Sequence, residues 1–276
     1  MPVRIVYSDL DGTMVGARGC FLRAEDASVT LEPAQALGRL LASGVPLVLV
    51  SGRTRAQLLE ACLVFGADGF VAELGGLLGW DHGRSVELLR GAMPDRLDRV
   101  PEEVIETLLA RFPGRLAYHD PWHLGHELDV MLRGLVEVAE AEAVLAEAGA
   151  PWLRVRDNGR LPRAAPGGGP VHVYHVVPDG VSKGAAVARD LARRGLAPDD
   201  AIAIGDSASD LEMAPYVGRL HLVANGARVP HVAARLADHR NVVVERRAAG
   251  LGWTDAVLAA IGAGGGGGCS ADPPLA

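Results

Sequence analysis

The chain has 276 residues, a formal net charge of −7, 49% hydrophobic residues and 22% charged ones. Enough apolar surface is present to bury a core, which excludes the disordered class, and the length allows a main domain plus an insert. The acidic balance excludes nucleic acid as the main partner, and no apolar run approaches the roughly 18 residues that cross a bilayer.

The three cysteines, Cys20, Cys62 and Cys269, are widely spaced and form neither a disulfide framework nor a paired-thiolate zinc site. Met1–Ile5 enters a strand-like run without a basic then apolar leader, so a cytoplasmic protein is expected; either a monomer or a homodimer is expected, with no sequence feature choosing between them.

In chain order, Val3–Ser8 is a short β-branched run and predicts a buried strand. Leu31–Ala42 carries apolar residues at helical spacing, with Thr30 as N-cap and Gly44 as stop. Pro46–Val50 predicts a second strand, Thr54 caps a helix through Ala61, and Gly69–Ala72 supplies a third strand. These are consecutive βαβ units. The same texture returns late, as a helix over Val181–Arg193 and strands at Ala201–Ile204 and Leu220–Val223. The fold class expected is α/β, a doubly wound parallel sheet with an inserted α+β module.

Residues 1–78 and 178–261 would form the core and 79–177 the insert. The insert contains an alternating Glu127–Arg133, helices near 101–111 and 135–148, and a strand at Val171–Val176. Asp157–Pro170 is expected to be a mobile loop and 262–276 a disordered glycine-rich tail.

The chemistry-bearing residues fall at strand ends and helix starts. Asp9 and Asp11 follow the first strand in Ser8-Asp9-Leu10-Asp11-Gly12-Thr13, and an extended backbone would turn both carboxylates to one side. Two such charges require a hard cation or a shared proton. Ser51-Gly52-Arg53 follows the second strand and can hold phosphate oxygens through a hydroxyl, free N–H groups and a guanidinium. Lys183 opens a late helix as a point charge, and Gly205-Asp206-Ser207-Ala208-Ser209-Asp210 adds two carboxylates after another strand. Singly, each has a plain structural explanation as a cap, a turn or a solvated charge. As an ordered set they point to phosphoryl chemistry.

This ordered set resembles the four motifs of haloacid dehalogenase-type phosphatases. The long insert resembles the α/β cap of the subgroup that includes Cof-type sugar-phosphate, sucrose-phosphate and mannosyl-3-phosphoglycerate phosphatases. The resemblance implies Asp9 as nucleophile, Asp11 as acid and then base, and Mg2+ held by Asp9, the Asp11 carbonyl, Asp206 and Asp210. It implies Thr13, Ser51, Gly52, Arg53 and Lys183 as contacts of the phosphate of a small phosphorylated metabolite, a sugar phosphate or a phosphoglycerate-type monoester. A phosphotransferase or mutase on the same scaffold, and a non-catalytic phosphometabolite-binding protein, are the competing expectations. Two positions depart from the related families: Leu74 stands where Asn is frequent after Glu73, and Ser209 where Asn precedes the last Asp.

The insert also carries Tyr118–Glu127, with His119, His123 and His126. Pro121 and Gly125 interrupt helical spacing there, which favours a polar loop lining the cleft over a second metal site. Arg154, Arg156, Arg160 and Arg163 could meet an anionic substrate tail or simply be solvated.

Overall fold

The structure is a computed structural model and describes residues 2–161 and 170–262. The first strand, β1 (Ile5–Ser8), is followed by α1 (Glu32–Ala42), β2 (Leu47–Val50), α2 (Arg55–Phe65) and β3 (Gly69–Ala72). These strands are buried on both faces: Val6 packs with Leu37, Leu40 and Trp253, and its neighbours Ile5 and Tyr7 with Val187 and Leu191. Near-continuous apolar runs are what parallel strands covered on both sides require.

After β3 the chain makes an antiparallel hairpin, β4 (Leu77–Trp80) and β5 (Ser85–Leu88), that extends the same sheet, with Val71 opposite Leu78 and Gly79 opposite Val86. This moves a boundary: residues 79–88 belong to the large sheet, not to the insert. Gly79 makes the pairing possible, because a Cβ there would lie 2.2 Å from Phe70 Cζ.

The second module comprises α3 (Glu102–Arg111), β6 (Leu116–Tyr118), β7 (Val130–Gly134), α4 (Val138–Glu147), β8 (Leu153–Arg160) and β9 (His172–Pro178). Its four strands form a separate antiparallel sheet in the order β6-β7-β9-β8. Ile105, Leu108, Val144 and Leu145 of the helices close over Leu132, Tyr174 and Val176 on one face of that sheet. Asp157–Arg160, expected in a mobile loop, continue β8 across a register shift. Residues 162–169 and the tail beyond Gly262 lie outside the described residues.

The chain then returns to the large sheet through α5 (Lys183–Arg194), β10 (Ala201–Gly205), α6 (Ala208–Leu211), β11 (Arg219–Leu222), α7 (Ala224–Ala227), α8 (Pro230–Ala233), β12 (Val242–Val244) and α9 (Ala249–Gly262). The sheet order is β12-β11-β10-β1-β2-β3-β4-β5. Successive strands run outward in opposite directions from the β1/β10 pair, which makes that pair the topological switch point. Among the described residues no helix is long and apolar enough to cross a membrane.

Helix ends follow local chemistry. Thr54 and Gln57 form a reciprocal capping box at α2, which runs past Ala61 to stop at Gly66 with φ +64°. At α1 the cap position is Leu31, one residue later than expected, and Thr30 Oγ1 accepts from Glu32 N at 3.2 Å.

Candidate active site

The switch point determines where the charged residues meet. Asp9 leaves β1 and Asp206 leaves β10, which pair in parallel with Ser8 beside Ile204. Ser51 leaves the neighbouring β2, and Lys183 opens α5, capped by Ser182 Oγ accepting from Ala185 N at 3.0 Å. Asp9, Asp11, Ser51, Gly52, Arg53, Lys183 and Asp206 line one cleft of about 1070 Å³. Thr13 and Asp210 lie behind its floor, both fully buried.

Lys183 Nζ donates to Asp9 Oδ1 at 2.8 Å and to Asp210 Oδ1 at 2.7 Å. The other oxygen of Asp210 accepts from Asp206 N at 3.1 Å, Ser207 N at 2.9 Å and Ser207 Oγ at 2.6 Å. Both of its oxygens are therefore engaged, and Asp210 holds Lys183 and the Asp206 turn in place. Asp9, Asp206 and Asp210 offer carboxylate oxygens within 4.8 Å of one another. Asp9 Oδ2 and Thr13 Oγ1 are buried and meet no hydrogen-bond partner in the protein.

The carboxylate crowding expected between Asp9 and Asp11 falls elsewhere. The strand ends at Ser8, so extended alternation does not hold through Asp11. The Asp11 side chain is half exposed, and Arg53 grips it bidentately, Nε to Oδ2 at 2.8 Å and Nη2 to Oδ1 at 2.6 Å. Gly12, at φ +84°, instead carries the loop directly over Asp206, where a Cβ would lie 2.3 Å from Asp206 Oδ2.

Burial pushes the Asp9 carboxyl up to about 7, against the opposing pull of Lys183 and with Asp210 adding to the rise. Burial, then Asp9 and Asp210, also hold Asp206 well above the usual carboxylate range. Lys183 is raised despite burial, because Asp210 and Asp9 stabilise its charge. One buried cation thus faces three carboxylates, an imbalance that a hard divalent cation on the oxygen donors would offset.

Asn225 belongs to this site and had no motif to announce it. Its Nδ2 donates to Gly12 O and to Asp206 Oδ2, both at 2.9 Å, while its Oδ1 accepts from Ala249 N at 2.8 Å. Its place at the start of α7, beyond a buried strand, was the available signal. From the second module His119, Trp122 and His126 line the cleft, as the polar-loop expectation has it, joined by Met131 and His175. Of the four arginines, Arg160 lines the cleft, Arg154 pairs with Asp179, Arg156 with Glu212, and Arg163 lies outside the described residues.

Comparison with known proteins agrees with this geometry. The family profile of haloacid dehalogenase-like hydrolases matches residues 169–241. A phosphoglycolate phosphatase of Methanoculleus marisnigri is 28% identical over 218 residues, 78% of this chain and 82% of that one. One from Methanopyrus kandleri is 27% identical over 240 residues, 85% of this chain and 88% of that one. Among solved structures, the sucrose-phosphatase of Synechocystis, in complex with sucrose and phosphate, aligns over 94% of this chain and 98% of its own, with TM-score 0.67 and 14% identity. A likeness at that identity shows the fold alone, and the fold, the profile and the phosphatase relatives agree. The profile match over residues 169–241 and the phosphatase relatives make the chain similar to the haloacid dehalogenase-like hydrolases and support a phosphatase.

Proposed function

We propose that this phosphatase hydrolyses the phosphomonoester of a small metabolite in a Mg2+-dependent reaction, through a phosphoryl group held covalently on Asp9. The observation that carries the reading is the buried Asp9 carboxylate at the switch point, one oxygen fixed by Lys183 and the other without a partner. Held in this way, Asp9 is oriented for in-line attack.

The donors fit Mg2+. All are oxygens, which suits a hard cation, and the partnerless Asp9 Oδ2 lies among carboxylates whose ionisation burial opposes. Asp9, Asp206 and the Asp11 carbonyl would hold the ion, with Asp210 acting at one remove because its own oxygens are engaged. Bound there, Mg2+ supplies charge that lets an anionic phosphate approach an anionic nucleophile.

The chain's own groups carry the steps. An Asp9 oxygen bonds to phosphorus as the bond to the leaving oxygen breaks, and the proton of Asp11 goes to that oxygen. Asp11, now a carboxylate, takes a proton from water, whose oxygen attacks phosphorus and frees Asp9 and inorganic phosphate. Ser51, Thr13, the Gly52 N–H and Lys183 receive the phosphoryl oxygens. The Arg53–Asp11 pair holds the two side chains together at the cleft, and an anionic substrate would compete with Asp11 for the guanidinium.

The relatives' activity favours a small phosphorylated acid, with phosphoglycolate as the first compound to test and sugar phosphates beside it. Phosphate release is measured from that panel with Mg2+ or EDTA, for the native enzyme and Asp9→Asn. Release that needs Mg2+ and vanishes in the variant is expected; release by Asp9→Asn at the native rate would sink the covalent route.

A further inference from the structure

A second buried cluster stands where the insert meets the core. In β9, Tyr174 and Val176 turn into the core under α3 and α4, so the period of two turns Val173 and His175 to the other face, toward the cleft. His175 is fully buried. Its Nδ1 is hydrogen-bonded to Asp129 Oδ2, and His126 Nδ1 to Asp129 Oδ1. Burial opposes the charge on Asp129, but the two histidines more than offset it and hold the carboxyl down at about 2. An ionised carboxylate only accepts, so the His175 Nδ1 carries hydrogen and its Nε2 remains. That Nε2 is buried and meets no partner.

A buried polar atom without a partner requires an explanation, and its neighbours supply one. The ring lies against the Ser51-Gly52-Arg53 turn, where a Cβ on Gly52 would sit 3.2 Å from His175 Cε1 and 3.4 Å from Nε2. The placement is held from the core side. Glu73, just after β3, accepts from Glu127 N at 2.8 Å, Leu128 N at 2.7 Å and Asp129 N at 3.1 Å. Glu73 and Leu74 adopt φ of 53° and 54°, a left-handed backbone strained for residues with a side chain, which the three hydrogen bonds hold in place. Of the second-module residues that line the cleft, His119, His126, His172 and Arg160 are basic, and the carboxylate among them, Asp157, is bonded to His172 Nδ1 at 2.8 Å.

We propose that His175 is the residue that selects the leaving group: with a second proton on Nε2, the ring donates to the carboxylate of a small phosphorylated acid whose phosphate sits at the Ser51-Gly52 turn. Asp129 is its positioning residue. Nε2 is buried against Gly52, so the contact requires the ring and the turn to separate as the substrate enters. This rests on the phosphatase reading above and adds to it the residue that recognises the acid.

The test is steady-state kinetics of the native enzyme, His175→Ala, His175→Gln and Asp129→Asn on phosphoglycolate and on p-nitrophenyl phosphate, which has no carboxylate. In His175→Ala the KM for phosphoglycolate should rise at least about ten-fold, while kcat/KM for p-nitrophenyl phosphate stays within about two-fold. His175→Gln, which keeps a donor, should recover part of the loss, and it carries the test if the alanine variant does not fold. Asp129→Asn should move KM in the same direction. Equal losses on both compounds, no change on either, or a native enzyme that prefers neutral sugar phosphates would overturn the selection by His175 and leave the phosphatase standing. A native enzyme releasing phosphate from nothing would overturn both.

Discussion

Lys183→Met offers the sharpest test of the charge balance in the site. Lys183 is 3% exposed, and its ammonium is shared between Asp9 at 2.8 Å and Asp210 at 2.7 Å. Removing one partner of a buried ion pair costs about 3–5 kcal/mol, because the remaining charge is left uncompensated. That cost should depend on pH in a way the structure specifies. Asp9 has its folded pKa raised to about 7 from an ordinary 3.8. The stability linked to its proton is therefore present below the unfolded value and is lost as pH rises to about 7. Lys183 lowers the Asp9 value, so its removal lifts that value further and extends the loss above 7. Near pH 5.5 Asp9 is protonated in both proteins, and the variant suffers mainly at Asp210. Above 7 the gap should widen by about 1.4 kcal/mol per pH unit until Asp9 ionises in the variant too, so about 2 kcal/mol separates pH 5.5 from 8.5. Urea unfolding in EDTA at the two pH values measures it. A destabilisation equal at both, within about 0.5 kcal/mol, would refute the shared-cation account.

Asp9→Asn should abolish phosphate release and, in EDTA near pH 8, raise the melting temperature, because it removes a charge that burial opposes; a lowered melting temperature would contradict this. The native protein in EDTA should lose melting temperature as pH rises from about 4 to 7, since Asp9 and Asp206 are both raised, and millimolar Mg2+ should flatten that slope in differential scanning fluorimetry. Asp11→Asn should release nitrophenol from p-nitrophenyl phosphate as a burst of one equivalent of enzyme and then turn over about 10²–10⁴-fold more slowly, because the base of the second step is gone. Asn225→Ala should weaken Mg2+ binding by about 10–100-fold, read by titration calorimetry, by freeing Asp206 Oδ2 and the Gly12 carbonyl from a common anchor.

The core and its charges were legible because several independent signals coincide there. Short β-branched runs alternate with helical spacing, and every motif falls at a strand end, where an open parallel sheet binds ligands. Lys183, Asp206 and Asp210 could be singled out because a phosphoryl site needs those charge types and their order along the chain resembles that of haloacid dehalogenase-type phosphatases. The failures have particular causes. Leu77-Leu78-Gly79-Trp80 lacks the β-branched character of a strand, since its pairing depends on the absence of a side chain at Gly79. The helix α9 goes unannounced because Gly250 and Gly252 interrupt its pattern. A Cβ on Gly250 would lie 3.0 Å from Pro33 Cγ, and one on Gly252 2.2 Å from Arg247 O, so these glycines serve close packing rather than a turn.

Glu73 shows a deeper limit. In the sequence it is a residue at the end of a strand, where related families often read Glu-Asn-Gly, and its function looks like a matter of the missing Asn. In the fold its carboxylate receives three consecutive N–H groups from residues 127–129. Backbone N–H groups carry no sequence signature, so an anion bound by them is invisible until the two modules are brought together. The same junction places Asp129 between His126 and His175 and so fixes an imidazole over the turn that Ser51 and Gly52 form. Side-chain types that chemistry dictates can be read from the chain. The contacts by which one module presents its histidines to the other depend on backbone geometry, and substrate choice is decided at those contacts.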